Sequence, residues 1–260
     1  MSEQTTLATQ GKTQVQKKPK SWEEMLNGRL VTIEDALPKD LNRQRFIQNA
    51  LTVVSENKNI QQFPQEQILA GLVKGAVLGL DFMNHEAYLV AYGQQLSFQL
   101  SYRGAVKLAK KYSIEPIKGV HADVVREGDD FSYEVKDNKT VINFKPLPFN
   151  KGEVVGAYAY VEFENGDVIA ELMNIDELEA VRKKSKMGNG GAWKDWVNEM
   201  RKKVVIKRLM KHIDLEMESP QQRTIYDDDE AIATEPEEII EVTQNEIEEN
   251  ANQIPFEVED

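Results

Sequence analysis

Between Arg182 and Lys211 the chain carries eleven Lys or Arg against two acids, Asp195 and Glu199, a net of +9 within thirty residues. Ten of these cations, Arg182, Lys183, Lys184, Lys186, Lys194, Arg201, Lys202, Lys203, Lys207 and Arg208, fall on two segments of helical spacing with Gly188, Gly190 and Gly191 between them. Lys194, Arg201 and Arg208 recur every seven residues, which puts them about 10 Å apart along one helix face. A smaller cluster, Arg103, Lys107, Lys110 and Lys111, occupies a helical face upstream. Cations at this density, with no nucleophile and base among them, suit neutralisation of a polyanion's phosphates. Tyr102, Met187 and Trp193 lie among them and can wedge between bases or stack on them. The same lysine runs also suit a solvated helix face, and Trp193 with Trp196 a helix core. Two features favour phosphate. The positive charge is not interleaved with acids as on a salt-bridged surface helix, and the glycines leave backbone N–H groups exposed between two basic segments.

The elements that must position these residues are legible from period and punctuation. Asn174 and Glu177 form a capping-box pair ahead of Ile175, Leu178 and Val181. After the glycines, Trp193, Trp196, Val197, Met200 and Val204 give the second basic helix its apolar stripe. Upstream, Ser21 and Glu24 can start a short helix, and Phe46, Ile47, Ala50, Leu51 and Val54 predict another. Pro64 opens a third, on which Gly71, Gly75 and Gly79 recur every fourth residue. That spacing permits close approach of another backbone, inside the subunit or from a neighbour. Ala87–Tyr92 and Leu96–Leu100 read as two strands around a tight turn at Gly93, leading into the helix of the smaller basic cluster. Ile117–Val125, Phe131–Val135, Val141–Phe144, Val154–Phe163 and Val168–Leu172 read as strands close enough in sequence to pair mostly antiparallel. The fold class expected is α+β: a small, mostly antiparallel sheet with a β-hairpin, packed helices and a long basic C-terminal helix.

Composition divides the chain. Fourteen of its 44 acids, and none of its 32 Lys or Arg, lie in Asp227–Asp260, leaving a near-neutral body joined to an acidic tail. We expect a disordered arm over residues 1–20, one folded domain over 21–215, and a flexible acidic tail over 216–260. There is no cysteine, so no disulfide and no thiolate metal site. No apolar run reaches the roughly 18 residues of a membrane span, and the polar N-terminus carries no signal-peptide pattern. A cytoplasmic protein is expected.

Three blocks carry a family resemblance. The first is Glu86-Ala-Tyr-Leu-Val-Ala-Tyr-Gly93 with the Phe98 strand and Tyr102-Arg-Gly-Ala-Val-Lys-Leu-Ala109. The second is Val154-Val-Gly-Ala-Tyr-Ala-Tyr-Val161. The third is Met173-Asn-Ile-Asp-Glu-Leu178 with Arg182, Ser185, Trp193, Asp195, Met200 and Lys203. Spanning about Leu41 to Leu215, they resemble the RecT members of the phage and prophage single-strand annealing proteins, relatives of the Red beta proteins. Ala91 stands where many members carry proline. The resemblance implies an ATP-independent recombinase without cofactor. Such a protein coats single-stranded DNA left by a 5′→3′ exonuclease, pairs it with its complement and holds the duplex in a ring or helical filament of subunits. It makes the folded domain over 21–215 a DNA-binding and oligomerising one. It implies a bacterial host cell, and partners in the phage exonuclease and the host single-strand-binding protein.

Annealing changes no covalent bond, so phosphate contacts without base-edge readout suffice. On that reading Arg201, Lys203, Arg103 and Lys107 rank highest. The chain has no G-x-x-x-x-G-K-[ST] loop for ATP. A metal-dependent nuclease would have to use Asp123, Glu127, Asp129 and Asp130 or Asp227–Asp229, and the first group straddles a turn where acids are common anyway. The alternative function is a sequence-independent single-strand coat without annealing activity. Three readings of the acidic tail remain: a solubilising segment, a polyanion competing for the basic groove, or a docking segment in which Ile254-Pro255-Phe256 is the apolar element.

Overall fold

The computed structural model describes residues 20–234 except 138, 186, 187, 189 and 191. The sequence expectations for most of the N-terminal arm, for residues 235–260 and for Lys186 and Met187 therefore lie outside the described residues. The fold is α+β.

Caps fix where the helices begin. At α1 (Trp22–Thr32) Glu24 N donates to Ser21 Oγ at 3.1 Å and Ser21 N to Glu24 Oε2 at 2.8 Å, a reciprocal capping box. Asn42 caps α2 (Arg43–Glu56), which buries Phe46, Ile47, Ala50 and Val54. After the short α3 (Lys58–Gln61), Pro64 precedes α4 (Gln65–Val77). The glycine stripe of α4 serves contacts inside the subunit: a side chain at Gly71 would run into Leu89, and one at Gly75 would meet the Phe82 ring at 2.5 Å. Gly79, at φ 67, supplies the left-handed residue after the helix and lets Leu80 N return to Gly75 O at 2.9 Å.

β1 (Ala87–Tyr92) and β2 (Gln95–Leu100) pair antiparallel from Ala87–Leu100 to Tyr92–Gln95 around a two-residue turn with Gly93 at φ 56. Ser101 then caps α5 (Tyr102–Tyr112), accepting from Arg103 N and Gly104 N at 3.1 Å each. β3 (Ile117–Arg126), β6 (Val154–Phe163) and β7 (Val168–Asn174) form an antiparallel sheet with β6 central, and β4 (Asp130–Lys136) pairs with β5 (Lys139–Lys145). The described strands thus make the expected small antiparallel sheet and β1–β2 hairpin, with β4–β5 as a further two-stranded sheet. Alternation along β6 explains the layering. Ala157, Ala159 and Val161 join one core with Val205, Leu209 and Met210 of α8 (Val197–Met210). On the opposite face Tyr158 takes Phe131 and Phe144 of the β4–β5 hairpin at ring distances of 5.1 and 5.3 Å.

α6 (Ile175–Lys184) begins at the predicted capping box, with Asn174 and Glu177 exchanging hydrogen bonds of 2.9 Å. The second basic helix departs from expectation. It is broken at Trp196 (φ −134, ψ 44) into α7 (Ala192–Asp195) and α8. Trp193 is 3% exposed and Trp196 67%. Residues three apart share a face of one straight helix, so burying the first and exposing the second requires the break. The end of the chain departs too. The sequence reads as flexible tail from residue 216, yet α9 (Pro220–Thr234) follows, with Gln222 and Tyr226 buried against the α4 region. Gln222 Nε2 donates to Val77 O at 3.0 Å and its Oε1 accepts from Glu218 N at 2.9 Å. A buried glutamine with both ends satisfied holds a helix that an apolar-period search does not find.

Candidate nucleic-acid interface

α5 and α8 pack side by side, which brings the two basic clusters together. At their junction Tyr102 lies between two cations: the Arg103 guanidinium carbon is 5.9 Å and Lys203 Nζ 5.6 Å from its ring centre. Arg103 Nε also donates to Tyr102 Oη at 3.2 Å, and that bond raises the Arg103 pKa further. Both cations lie over a π face, and no acid among the described residues pairs with either.

Elsewhere the acids missing between Arg182 and Lys211 arrive from neighbouring elements. Glu179 of α6 accepts from Arg201 Nη2 at 2.9 Å and from Arg182 Nη1 at 3.2 Å. These partners, Arg201 first, hold its carboxyl below the usual range. Arg182 Nε reaches Gly188 O at 2.7 Å and so pins the glycine hinge to α6. Glu171 of β7 holds Arg208 Nε at 2.7 Å and His212 Nε2 at 3.2 Å, with Glu177 3.5 Å from Arg208 Nη1. Lys202 pairs with Glu199 at 2.7 Å. In α5, Lys107 Nζ donates to Glu86 Oε2 at 2.7 Å and Gly79 O at 2.9 Å, while Lys111 pairs with Asp40 and stands 3.7 Å from Glu218. Lys207 Nζ reaches Leu100 O at 3.3 Å, tying α8 to the end of β2.

The positive charge that is uninterleaved along the sequence is thus interleaved in space, by acids of α6 and β7. The seven-residue stripe is also divided, with Lys194 on α7 and both Arg201 and Arg208 in ion pairs. No carboxylate among the described residues is paired with Arg103, Lys110, Lys183, Lys184, Lys194 or Lys203. Trp193, a proposed stacking residue, is core; Trp196 is the exposed indole.

Spacing did not single out two further aromatics, His85 and Tyr88. They stack at 6.0 Å with 25° between planes, beside the α5 junction. The alternation in Ala87–Tyr92 does place Tyr88 on the outer face. Nothing in the residue order announces His85, whose φ of 56 is visible only in the fold.

Asp129, one of the acids weighed for metal chemistry, organises the turn it stands in. Asp129 Oδ1 accepts from Asn150 Nδ2 at 2.7 Å and Leu147 N at 3.0 Å, and Oδ2 from Arg126 N at 2.9 Å. Among the described residues no group of three or more His, Asp or Glu is placed to hold a metal ion. None of their helices is long and apolar enough to cross a membrane.

The fold is α+β, and its α5–α8 junction gathers cations around an aromatic ring. The chain belongs to the RecT family, whose model matches residues 44–246. It is similar to the protein named RecT of Escherichia coli K12, at 29% identity over 212 residues, 77% of each chain. It is also similar to an uncharacterised protein, YqaK, of Bacillus subtilis 168, at 23% identity over 191 residues, 72% of this chain and 64% of that one. Family membership carries a role in recombination by single-strand annealing, with single-stranded DNA binding and oligomerisation.

Proposed function

We propose that this chain is an ATP-independent annealing recombinase. It coats single-stranded DNA, pairs it with the complementary strand and holds the product duplex in a ring or helical filament. The observation that carries this reading is the α5–α8 junction, where Arg103 and Lys203 flank Tyr102 and no acid among the described residues pairs with either. Phosphates would replace solvent there, leaving base edges free to pair. Lys110, Lys183, Lys184 and Lys194 extend the charge along the strand. Arg182, Arg201, Arg208, Lys107, Lys111, Lys202 and Lys207 serve chiefly to set the helices that present it. The sequence supports ATP independence by lacking a phosphate-binding glycine–lysine loop.

In this reading the phage 5′→3′ exonuclease supplies the single strand, and the host single-strand-binding protein is met through residues 235–260. The work is done in the cytoplasm of the bacterial host. The test adds two complementary fluorescent oligonucleotides in succession without ATP, with electron microscopy of the mixture. Accelerated pairing with ordered oligomers is expected. Tight single-strand binding with slowed pairing would instead make the chain a coat protein.

A further inference from the structure

The loop between α4 and β1 is built rigidly around two acids. Asp81 Oδ1 accepts from Met83 N at 2.8 Å and Oδ2 from Asn49 Nδ2 at 2.7 Å; Glu86 Oε2 accepts from Asp81 N at 2.7 Å and Lys107 Nζ at 2.7 Å. His85 is held in the left-handed region at φ 56, its carbonyl taking a 2.7 Å hydrogen bond from Ser101 Oγ. A non-glycine residue there is strained, and the loop spends this rigidity on presenting Met83, 44% exposed, His85, and Tyr88, 44% exposed. These three border a cavity of about 660 Å³ whose other walls include Asn57, Asn59 and Leu89. The Ser101–His85 hydrogen bond and the pairing of Ala87 with Leu100 set this loop against the start of α5, where Arg103 stands, and the Arg103 charge is felt at the Tyr88 phenol, opposing the rise that burial causes.

We propose that this cavity receives one nucleobase of the single strand whose phosphates Arg103 and Lys203 neutralise, with Tyr88, backed by His85, as its stacking platform. The inference rests on the annealing reading and adds a base contact to it. A π face accepts any base, so the contact is indifferent to sequence. A base held there is out of its own strand's stack and is surrendered when the complement pairs. The pocket therefore distinguishes the first strand from the product duplex.

The test uses the full chain with a mixed-sequence oligonucleotide and the same backbone made entirely of abasic residues. Wild type should prefer the base-bearing strand. Tyr88→Ala should lose about ten-fold in affinity for it, little for the abasic strand, and nothing in its salt dependence. Tyr88→Phe should bind as wild type does, because the ring is retained. Equal affinity of Tyr88→Ala and wild type for the base-bearing strand would overturn the pocket, as would an equal loss on both strands. Wild type that binds neither strand would overturn the annealing reading itself.

Discussion

Glu179 Oε1 and Arg201 Nη2 meet at 2.9 Å, with the Arg201 side chain only 13% exposed, and this pair ties α6 to α8. Through its other oxygen Glu179 reaches Arg182, and through Arg182 the hinge carbonyl of Gly188. The ion pair thus sets the angle between the two basic segments. Arg201, which charge counting ranked among the first DNA ligands, is committed to the fold.

Replacing Arg201 by Ala should therefore cost stability. Loss of charged hydrogen bonds of this kind is worth about 1–3 kcal/mol. Denaturant unfolding should register it as a lower midpoint, and Glu179→Gln should lie in the same direction. The slope of log affinity for single strands against log salt should stay as in wild type. A slope flattened by Arg201→Ala would return this residue to the DNA contacts.

Arg103→Ala and Lys203→Ala should do the reverse. Each should flatten the salt slope by about one unit per lost phosphate contact, uniformly across sequences, with little change in unfolding midpoint. Titrations at several salt concentrations measure both quantities.

The Glu179 pair also predicts an acid sensitivity. Its carboxyl is held below the ordinary 4.5, with the Arg201 hydrogen bond as the largest cause. A carboxyl lowered by folding stabilises fully above its unfolded pKa, and that contribution is lost as pH falls through the lowered value. Stability measured downward from about pH 4.5 should fall more steeply in wild type than in Glu179→Gln.

Two truncations separate α9 from the acidic tail. Ending the chain after Thr234 should leave the unfolding midpoint unchanged, and by removing a competing polyanion it should raise single-strand affinity at low salt. Ending it after Ser219 removes buried Gln222 and Tyr226, leaving Val77 O without its donor, and should lower the midpoint clearly. Equal affinity of the Thr234 truncation and wild type at low salt would dismiss competition by the tail.

The sequence announced those features that depend on neighbours along the chain. The capping boxes at Ser21 and Asn174, the turn at Gly93 and all seven strands are local signals, and the fold contains them. What depended on distant partners was not legible. Nothing near Arg201 indicates that Glu179, 22 positions earlier, will meet it, so the basic stripe looked uncompensated. Trp193 and Trp196 share a helical period, and only the break at Trp196 separates core from surface. α9 is anchored through a glutamine and a tyrosine, types that an apolar period does not weight. Of the candidate site, the cations were legible as a set; which of them lack acidic partners was decided by α6, β7 and the loop at Glu86.

If Arg103 and Lys203 at the α5–α8 junction carry the strand during annealing, pairing must depend on both. The measurement that tests it most directly is the initial rate of pairing of two complementary oligonucleotides added in succession without ATP, for wild type and for the double variant Arg103→Ala/Lys203→Ala with its fold verified. Wild type should pair the strands rapidly, and the variant should pair them at a rate near that of the strands alone. A variant that anneals as fast as wild type would contradict that dependence.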